Sequence, residues 1–283
     1  MLRVAFVAVA VTAITLPLMP LQWMAVRFNL AIRRRIPVLY HRMLCAILGV
    51  RVRVIGARMR EHPLLIVANH ASWLDIPIIT AAAPVVFVAK SEVARWPFFG
   101  RLAKLQRSVF VDRSRRHRTA QVTAEIARRL TEGDPVVLFG EGTSSDGNRV
   151  LPFRTALIGA ARDALAEAEH VPRVWIQPLS LAYTGLTGLP LGRQHRPLVA
   201  WYGDLSLWPH LVAIGRRGAI DAVLTWGEPI AFDETTDRKA VARCLERKVR
   251  ALTTLALRGG LPAACRRSRS TAAPVNPVSP PIL

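Results

Sequence analysis

The apolar positions of the chain follow three rhythms, and each predicts its own kind of element. From Val4 to Val26 they run on without a charged residue. As one helix these 23 positions reach about 34 Å, enough for a hydrocarbon core of roughly 30 Å. Pro17 and Pro20 lie inside the run, and a break there leaves too short a helix to span. A kinked spanning helix and a monotopic or re-entrant anchor both fit this pattern. The stretch from Pro20 to Val26 has no small-x-small cleavage site, so the segment reads as a retained anchor. Pro37 then opens a second helix through Leu48, with Gly49 as its stop. Its Leu39, Met43, Leu44 and Ile47 surround His41 and Arg42, as in a helix lying at a membrane interface or packed on a core.

From Val50 the period shortens. Arg51-Val52-Arg53-Val54 alternates with period two and predicts an edge strand, whereas 64–68 and 85–89 are uninterrupted apolar runs that predict buried strands. Further strands are predicted at 109–111, 136–139, 174–181 and 219–226, and helices at 73–82, 118–130, 155–168 and 238–257. This alternation defines an α/β chain, a mostly parallel sheet flanked by helices, with an N-terminal membrane-anchoring helical segment. The Gly- and Pro-bearing stretch 184–197 reads as a long loop, and the Arg, Ser and Pro content beyond Gly259 as a disordered basic tail. The organisation is thus an anchor with interfacial helix at 1–49, a catalytic domain at 50–258, and a tail at 259–283.

Composition sharpens the choice of surroundings. A chain of 283 residues that is 51% hydrophobic yet carries a net charge of +20 points to an anionic membrane surface as partner. Nucleic acid is the competing reading of such charge, but no nucleic-acid motif accompanies it, and none is expected to bind. The charge is also placed: nine arginines lie from Arg27 to Arg60, including Arg33-Arg34-Arg35, and no acid precedes Glu61. By the positive-inside bias this side faces the cytoplasm, as in a bacterial-type inner membrane. Cys45, Cys244 and Cys265 are scattered, which argues against a disulfide framework and offers no metal site.

Candidate chemistry gathers where the strand 64–68 ends, at Asn69-His70-Ala71-Ser72-Trp73-Leu74-Asp75. The carboxyl end of a strand is where open α/β sheets place their reactive groups. Five residues after His70, across a turn, Asp75 can fold back on the imidazole, fix its tautomer and stabilise the imidazolium formed when the ring accepts a proton. The segment 139–145 leaves another strand through a glycine-bearing turn, whose N–H groups suit an anion or oxyanion. Gly142-Thr143-Ser144-Ser145-Asp146-Gly147 is not Gly-x-Ser-x-Gly, which weakens a hydrolase reading, and no Walker-type loop implies ATP.

Four blocks in order resemble the 1-acylglycerol-3-phosphate acyltransferase family of glycerolipid acyltransferases, across about Val50 to Trp226. They are Asn69-His70-x4-Asp75; Lys90-Ser91-Glu92 through Trp96-Pro97-Phe98-Phe99-Gly100 to Val109-Phe110-Val111-Asp112-Arg113; Phe139-Gly140-Glu141-Gly142-Thr143-Ser144-Ser145; and Ile176-Gln177-Pro178-Leu179. The resemblance implies a membrane-bound O-acyltransferase with no bound cofactor. It would move a fatty acyl group from acyl carrier protein or coenzyme A to a lysolipid hydroxyl, with His70 and Asp75 as the catalytic pair. It places Glu141, Gly142, Thr143, Arg113 and Lys90 in acceptor binding or organisation of the site, with Asn69, Ser144 and Pro178 supporting the motifs. Three positions depart from the family pattern: Gly140 stands for a usual Pro, Ser144 for a usual Arg, and Arg107 for a usual Gly. Loss of the guanidinium at 144 removes a bidentate phosphate ligand, although Arg107 could restore one from another direction. Ser145 to Arg149, with Tyr202-Gly203-Asp204 and Pro209-His210-Leu211, resembles the branch that acylates lyso-ornithine lipid. Both that acceptor and 1-acylglycerol-3-phosphate remain open at this level. A basic binding protein without catalysis and a lipid thioesterase or hydrolase are the rival classes.

Overall fold

The computed structural model describes residues 1–111, 119–155, 173–233 and 235–260. Nine strands in these residues form one mixed sheet: β1 (Val50–Ile55), β2 (Leu64–Ala68), β3 (Val86–Lys90), β4 (Val109–Val111), β5 (Val136–Phe139), β6 (Val174–Leu186), β7 (Leu189–Pro190), β8 (Ile220–Trp226) and β9 (Ile230–Phe232). The order is β1-β8-β6-β2-β5-β3-β4, with β7 and β9 both on β6. Pairing is parallel for β1 with β8, for β2 with β5 and β6, and for β3 with β4 and β5. It is antiparallel wherever β6 meets β7, β8 or β9.

The continuous apolar runs predicted as buried strands are buried because both faces are covered. Leu64, Ile66 and Ala68 join the core beneath the helices α2 (Arg35–Leu48) and α3 (Asp75–Ala82). Leu65 and Val67 point the other way. They share a second core cluster with Ile126, Ala127 and Leu130 of α4 (Thr119–Thr131), and Val241, Leu245 and Val249 of the last helix (Arg238–Leu257). Each such Leu, Ile or Val withdraws an apolar side chain from water at about 1.5–3 kcal/mol apiece. Between these layers, β2 and β5 form the topological centre. After β2 the chain runs on to β3, and after β5 it returns to β6, so the loops following two adjacent strands leave in opposite directions and open a crevice.

Several boundaries differ from expectation for physical reasons. The predicted loop at 184–197 instead begins as strand, because β6 continues to Leu186 and turns into β7 through Thr187 and Gly188, both at positive φ. Two such residues make the tight turn whose twist matches a hairpin. The predicted helix at 155–168 and the tail beyond 260 lie almost wholly outside the described residues. Helix α1 (Leu2–Arg27) is continuous through Pro17 and Pro20. It is held along its length by polar contacts to the domain. Arg3 donates to the carbonyls of Leu48 (3.2 Å) and Gly215, the Thr15 hydroxyl meets Tyr40 (3.1 Å), and Gln22 Nε2 donates to the carbonyls of Arg33 (3.0 Å) and Leu105 (2.9 Å). Its other face presents Leu2, Phe6, Val9, Leu16, Trp23 and Met24 to the surroundings. By length and composition this one helix is apolar enough to cross a membrane.

Candidate active site

Strands β2 and β5 end level, with Ala68 opposite Phe139, so His70 and Glu141 emerge side by side, two residues beyond each strand. The Gly140 N–H donates to the Ala68 carbonyl (2.9 Å), which extends the pairing one step past the strands. On the other flank the Asn69 side chain substitutes for a strand residue: its Oδ1 accepts from Leu181 N–H (2.9 Å) and its Nδ2 donates to the Leu181 carbonyl (2.8 Å). An asparagine suits this position because one amide carries both a donor and an acceptor.

These fixtures present the imidazole. His70 Nδ1 lies 2.7 Å from Asp75 Oδ2, and the side chains are 18% and 1% exposed. Asp75 is the first residue of α3, and its Oδ2 also accepts the N–H groups of Ala71 (2.7 Å) and Ser72 (3.0 Å). Its Oδ1 accepts the Tyr183 hydroxyl at 2.6 Å. Four donors thus converge on this one buried carboxylate. With Nδ1–H donated to it, the ring carries its lone pair on Nε2. The ring rests on Phe139, centroids 3.9 Å apart and planes 17° from parallel, and Phe139 in turn stacks on Phe87 at 5.9 Å.

The backbone of His70 is clamped from β5. Its N–H donates to Glu141 Oε1 (2.8 Å), and its carbonyl accepts from Ser145 N–H (2.9 Å) and Oγ (3.2 Å). Glu141 Oε2 takes the Leu151 N–H (2.9 Å), so both oxygens of a side chain only 2% exposed bind main-chain amides. Burial pushes this carboxyl up to about 8, against the pull of those two N–H donors; the neighbouring Asp75 adds to the rise. The Gly142 N–H donates to the Phe139 carbonyl (3.0 Å) in a turn that sets Gly142 at φ +69°. Thr143 is exposed and Ser144 half-buried on the same loop.

Two of the three departures from the family pattern have a physical reason. A Cβ at Gly140 would come within 2.7 Å of the Phe153 ring, and a proline there would also forfeit the N–H bond to Ala68. Arg107 sits at φ +63°, the conformation that favours the glycine usual at this position. Its guanidinium pairs with Glu132 and Asp134 beside the start of β5, at the opposite end of the parallel strands from His70. The suggestion that Arg107 restores a ligand at the site is therefore corrected. Pro178 falls between the stretches of β6 that pair with β9 and with β8, where a missing N–H breaks no ladder bond; its carbonyl accepts Gly227 N–H (2.8 Å). Lys90 is exposed at the same sheet edge as His70, opposite Val111. Arg113 lies outside the described residues.

Sequence reasoning missed Tyr183, Phe139 as the floor of the ring, and Ser145. Tyr183 is 108 positions from Asp75 and falls beyond the predicted end of its strand; the only signal was that a buried Tyr hydroxyl needs a partner. The aromatic-rich segment 201–211 also belongs to the surroundings of the site. Trp201 N–H donates to the Ala71 carbonyl (2.8 Å), and Trp73 Nε1–H donates to His210 Nδ1 (2.9 Å) on α5 (Leu207–Arg217). Among the described residues no three His, Cys, Asp or Glu side chains converge to hold a metal ion.

A half-open imidazole held by a buried carboxylate, at the crevice of a doubly covered α/β sheet, defines the class: an α/β fold with a candidate reactive group at the strand ends. The chain belongs to the acyltransferase family, whose model matches residues 50–182. It is 49% identical over 258 residues to the lyso-ornithine lipid O-acyltransferase of Brucella abortus, covering 91% of this chain and 96% of that protein. It is 45% identical over 270 residues to the protein of that name from Rhizobium meliloti, covering 95% and 90%. The crystal structure of the 1-acyl-sn-glycerophosphate acyltransferase PlsC from Thermotoga maritima shares the fold, with a TM-score of 0.56 and 18% identity over 89% of this chain and 99% of that one. The protein is an acyltransferase of lipid biosynthesis that acts on a lysolipid.

Proposed function

We propose that this acyltransferase esterifies the free hydroxyl of lyso-ornithine lipid, taking a fatty acyl group from the thioester of acyl carrier protein or coenzyme A, with His70 as general base. The observation that carries the mechanism is the 2.7 Å contact between His70 Nδ1 and a buried, four-donor Asp75. His70 Nε2 takes the proton of the acceptor hydroxyl as its oxygen attacks the thioester carbonyl. Asp75 stabilises the imidazolium, which returns the proton to the departing thiolate, so an ester and a thiol replace an alcohol and a thioester. The thioester is already activated, and no covalent acyl-enzyme is needed. Purified protein should convert lyso-ornithine lipid and acyl thioester to the diacylated lipid. His70→Ala should lower turnover about 10²- to 10⁴-fold while the protein stays folded; full activity in that variant would remove His70 from its role.

The acceptor assignment is supported by the names of the two relatives, which match over at least nine tenths of this chain, and by Ser144 in place of a phosphate-binding arginine. The other acceptor, 1-acylglycerol-3-phosphate, is that of the structural neighbour. Ser144→Arg should shift relative use toward it, and an unchanged ratio would show that position 144 does not select the headgroup.

Our reading of the enzyme's seat is supported by α1. Polar contacts from Arg3 to Gln22 pin about 28 Å of helix along the domain, so a perpendicular crossing would draw the domain into the bilayer. Its apolar outer face and the arginines from Arg27 to Arg60 fit a helix lying in the cytoplasmic leaflet, with the catalytic domain on the cytoplasmic side. Labelling of single-cysteine variants at both ends of α1 in sealed vesicles tests this seat. Reaction of both ends from one side is expected, and reaction from opposite sides would show a crossing.

A further inference from the structure

Beside the catalytic loop, Asn148, Gly192, Arg193 and Gln194 line an open cleft of about 530 Å³. Arg196 reaches one of these lining residues. Its Nη1 donates to Asn148 Oδ1 (3.1 Å), and Asn148 donates through its backbone N–H and its Nδ2 to the two oxygens of Asp146 (3.0 and 3.1 Å). The Arg196 Nε–H is buried without an acceptor among the described residues. Buried donors in folded proteins almost always have partners, so an orphan beside a cleft marks the place of an acceptor that arrives from outside. Arg196's own charge is disfavoured by burial first and by the nearby cation of Arg193, and is favoured by Asp146. The cleft adjoins the chemistry: a Cβ placed on Gly147 would lie 3.7 Å from Arg196, 3.9 Å from Ala200 and 4.0 Å from Ala71, and Ser145 donates to the His70 carbonyl.

We infer that this cleft is the headgroup subsite for a zwitterionic acceptor, in which Arg196 and Arg193 bind a carboxylate and Asp146 binds an ammonium. The inference rests on the proposed transfer to lyso-ornithine lipid. An N-acylated ornithine carries both groups, whereas a glycerol phosphate carries only a dianion that Asp146 would repel. A guanidinium fork docks a carboxylate through two N–H groups, and a carboxylate that already accepts two bonds keeps lone pairs for an ammonium.

The test uses the purified full chain, an acyl thioester, and three acceptors with one acyl chain: lyso-ornithine lipid, its putrescine counterpart lacking the carboxylate, and its norvaline counterpart lacking the ammonium. The wild type should prefer the ornithine acceptor by about 10- to 100-fold in kcat/KM, the range of one charged hydrogen bond. Arg196→Gln should bring the ornithine-to-putrescine ratio toward one, chiefly through KM, and Asp146→Asn should do the same to the ornithine-to-norvaline ratio. Unchanged ratios in both variants, while the wild type still uses lyso-ornithine lipid, would overturn the subsite and leave the proposed reaction standing. Wild-type use of 1-acylglycerol-3-phosphate alone would take down both. Should Arg196→Gln fail to fold, Arg193→Gln and Asp146→Asn decide on the same ratios.

Discussion

The two ends of the parallel strands each bury a cluster of ionisable groups, and the clusters behave in opposite ways. At the amino end, Asp134 and Glu132 face the guanidinium groups of Arg34, Arg107 and Arg129. This network ties the start of α2 to the start of β5. At the carboxyl end, Asp75 faces an imidazole, a phenol and two backbone amides. The same kind of carboxylate serves as a strut where its partners are guanidinium groups. Under the proposed mechanism it serves a reaction where one partner is an imidazole that takes up and returns the acceptor's proton.

The comparison can be broken by exchanging its terms, and the largest effect is expected at the carboxyl end. Asp75→Asn removes the group proposed to stabilise the imidazolium, and kcat should fall about 10³- to 10⁴-fold; a fall under tenfold would make Asp75 a strut as well. Asp134→Ala leaves Arg107 and Arg34 without their shared carboxylate. Chemical denaturation should show a loss of about 3–5 kcal/mol, while kcat per folded molecule stays near that of the wild type. If kcat drops with stability, the two ends are coupled.

Glu141 lies between the extremes, a carboxylate near the chemistry but engaged only with backbone. Because burial raises its carboxyl from 4.5 to about 8, the folded state holds a proton that the unfolded chain has already released. Its contribution to stability is thus fully present below pH 4.5 and is lost as pH rises through about 8. Glu141→Gln should flatten that slope in melting temperature against pH, and cost about 1–3 kcal/mol by facing an amide group toward an N–H. An identical slope in the variant would assign the pH dependence elsewhere. Smallest is Tyr183→Phe. Without its hydroxyl, Asp75 loses one of its four donors, and kcat should fall by about 2- to 10-fold, the range of one net hydrogen bond. An unchanged kcat would make Tyr183 a packing residue.

What the sequence determined by itself was local. Apolar runs and period-two alternation specify strands, and β2, β4, β5 and the last helix have their predicted limits. His70 and Asp75 were legible because five residues and a turn suffice to bring them together. Partners far apart in the chain were not. Tyr183 reaches Asp75, and Glu141 reaches His70, only because β6 and β5 flank β2 in one register. A period-two pattern says that a strand exists but not which neighbour it pairs with or in which direction, and β8 accordingly runs parallel to β1 and antiparallel to β6. The continuity of α1 across two prolines, and Arg107's place away from the catalytic end, were likewise decided by packing. Contacts between distant segments form only once the core has brought those segments together, and they leave no periodic trace in the chain.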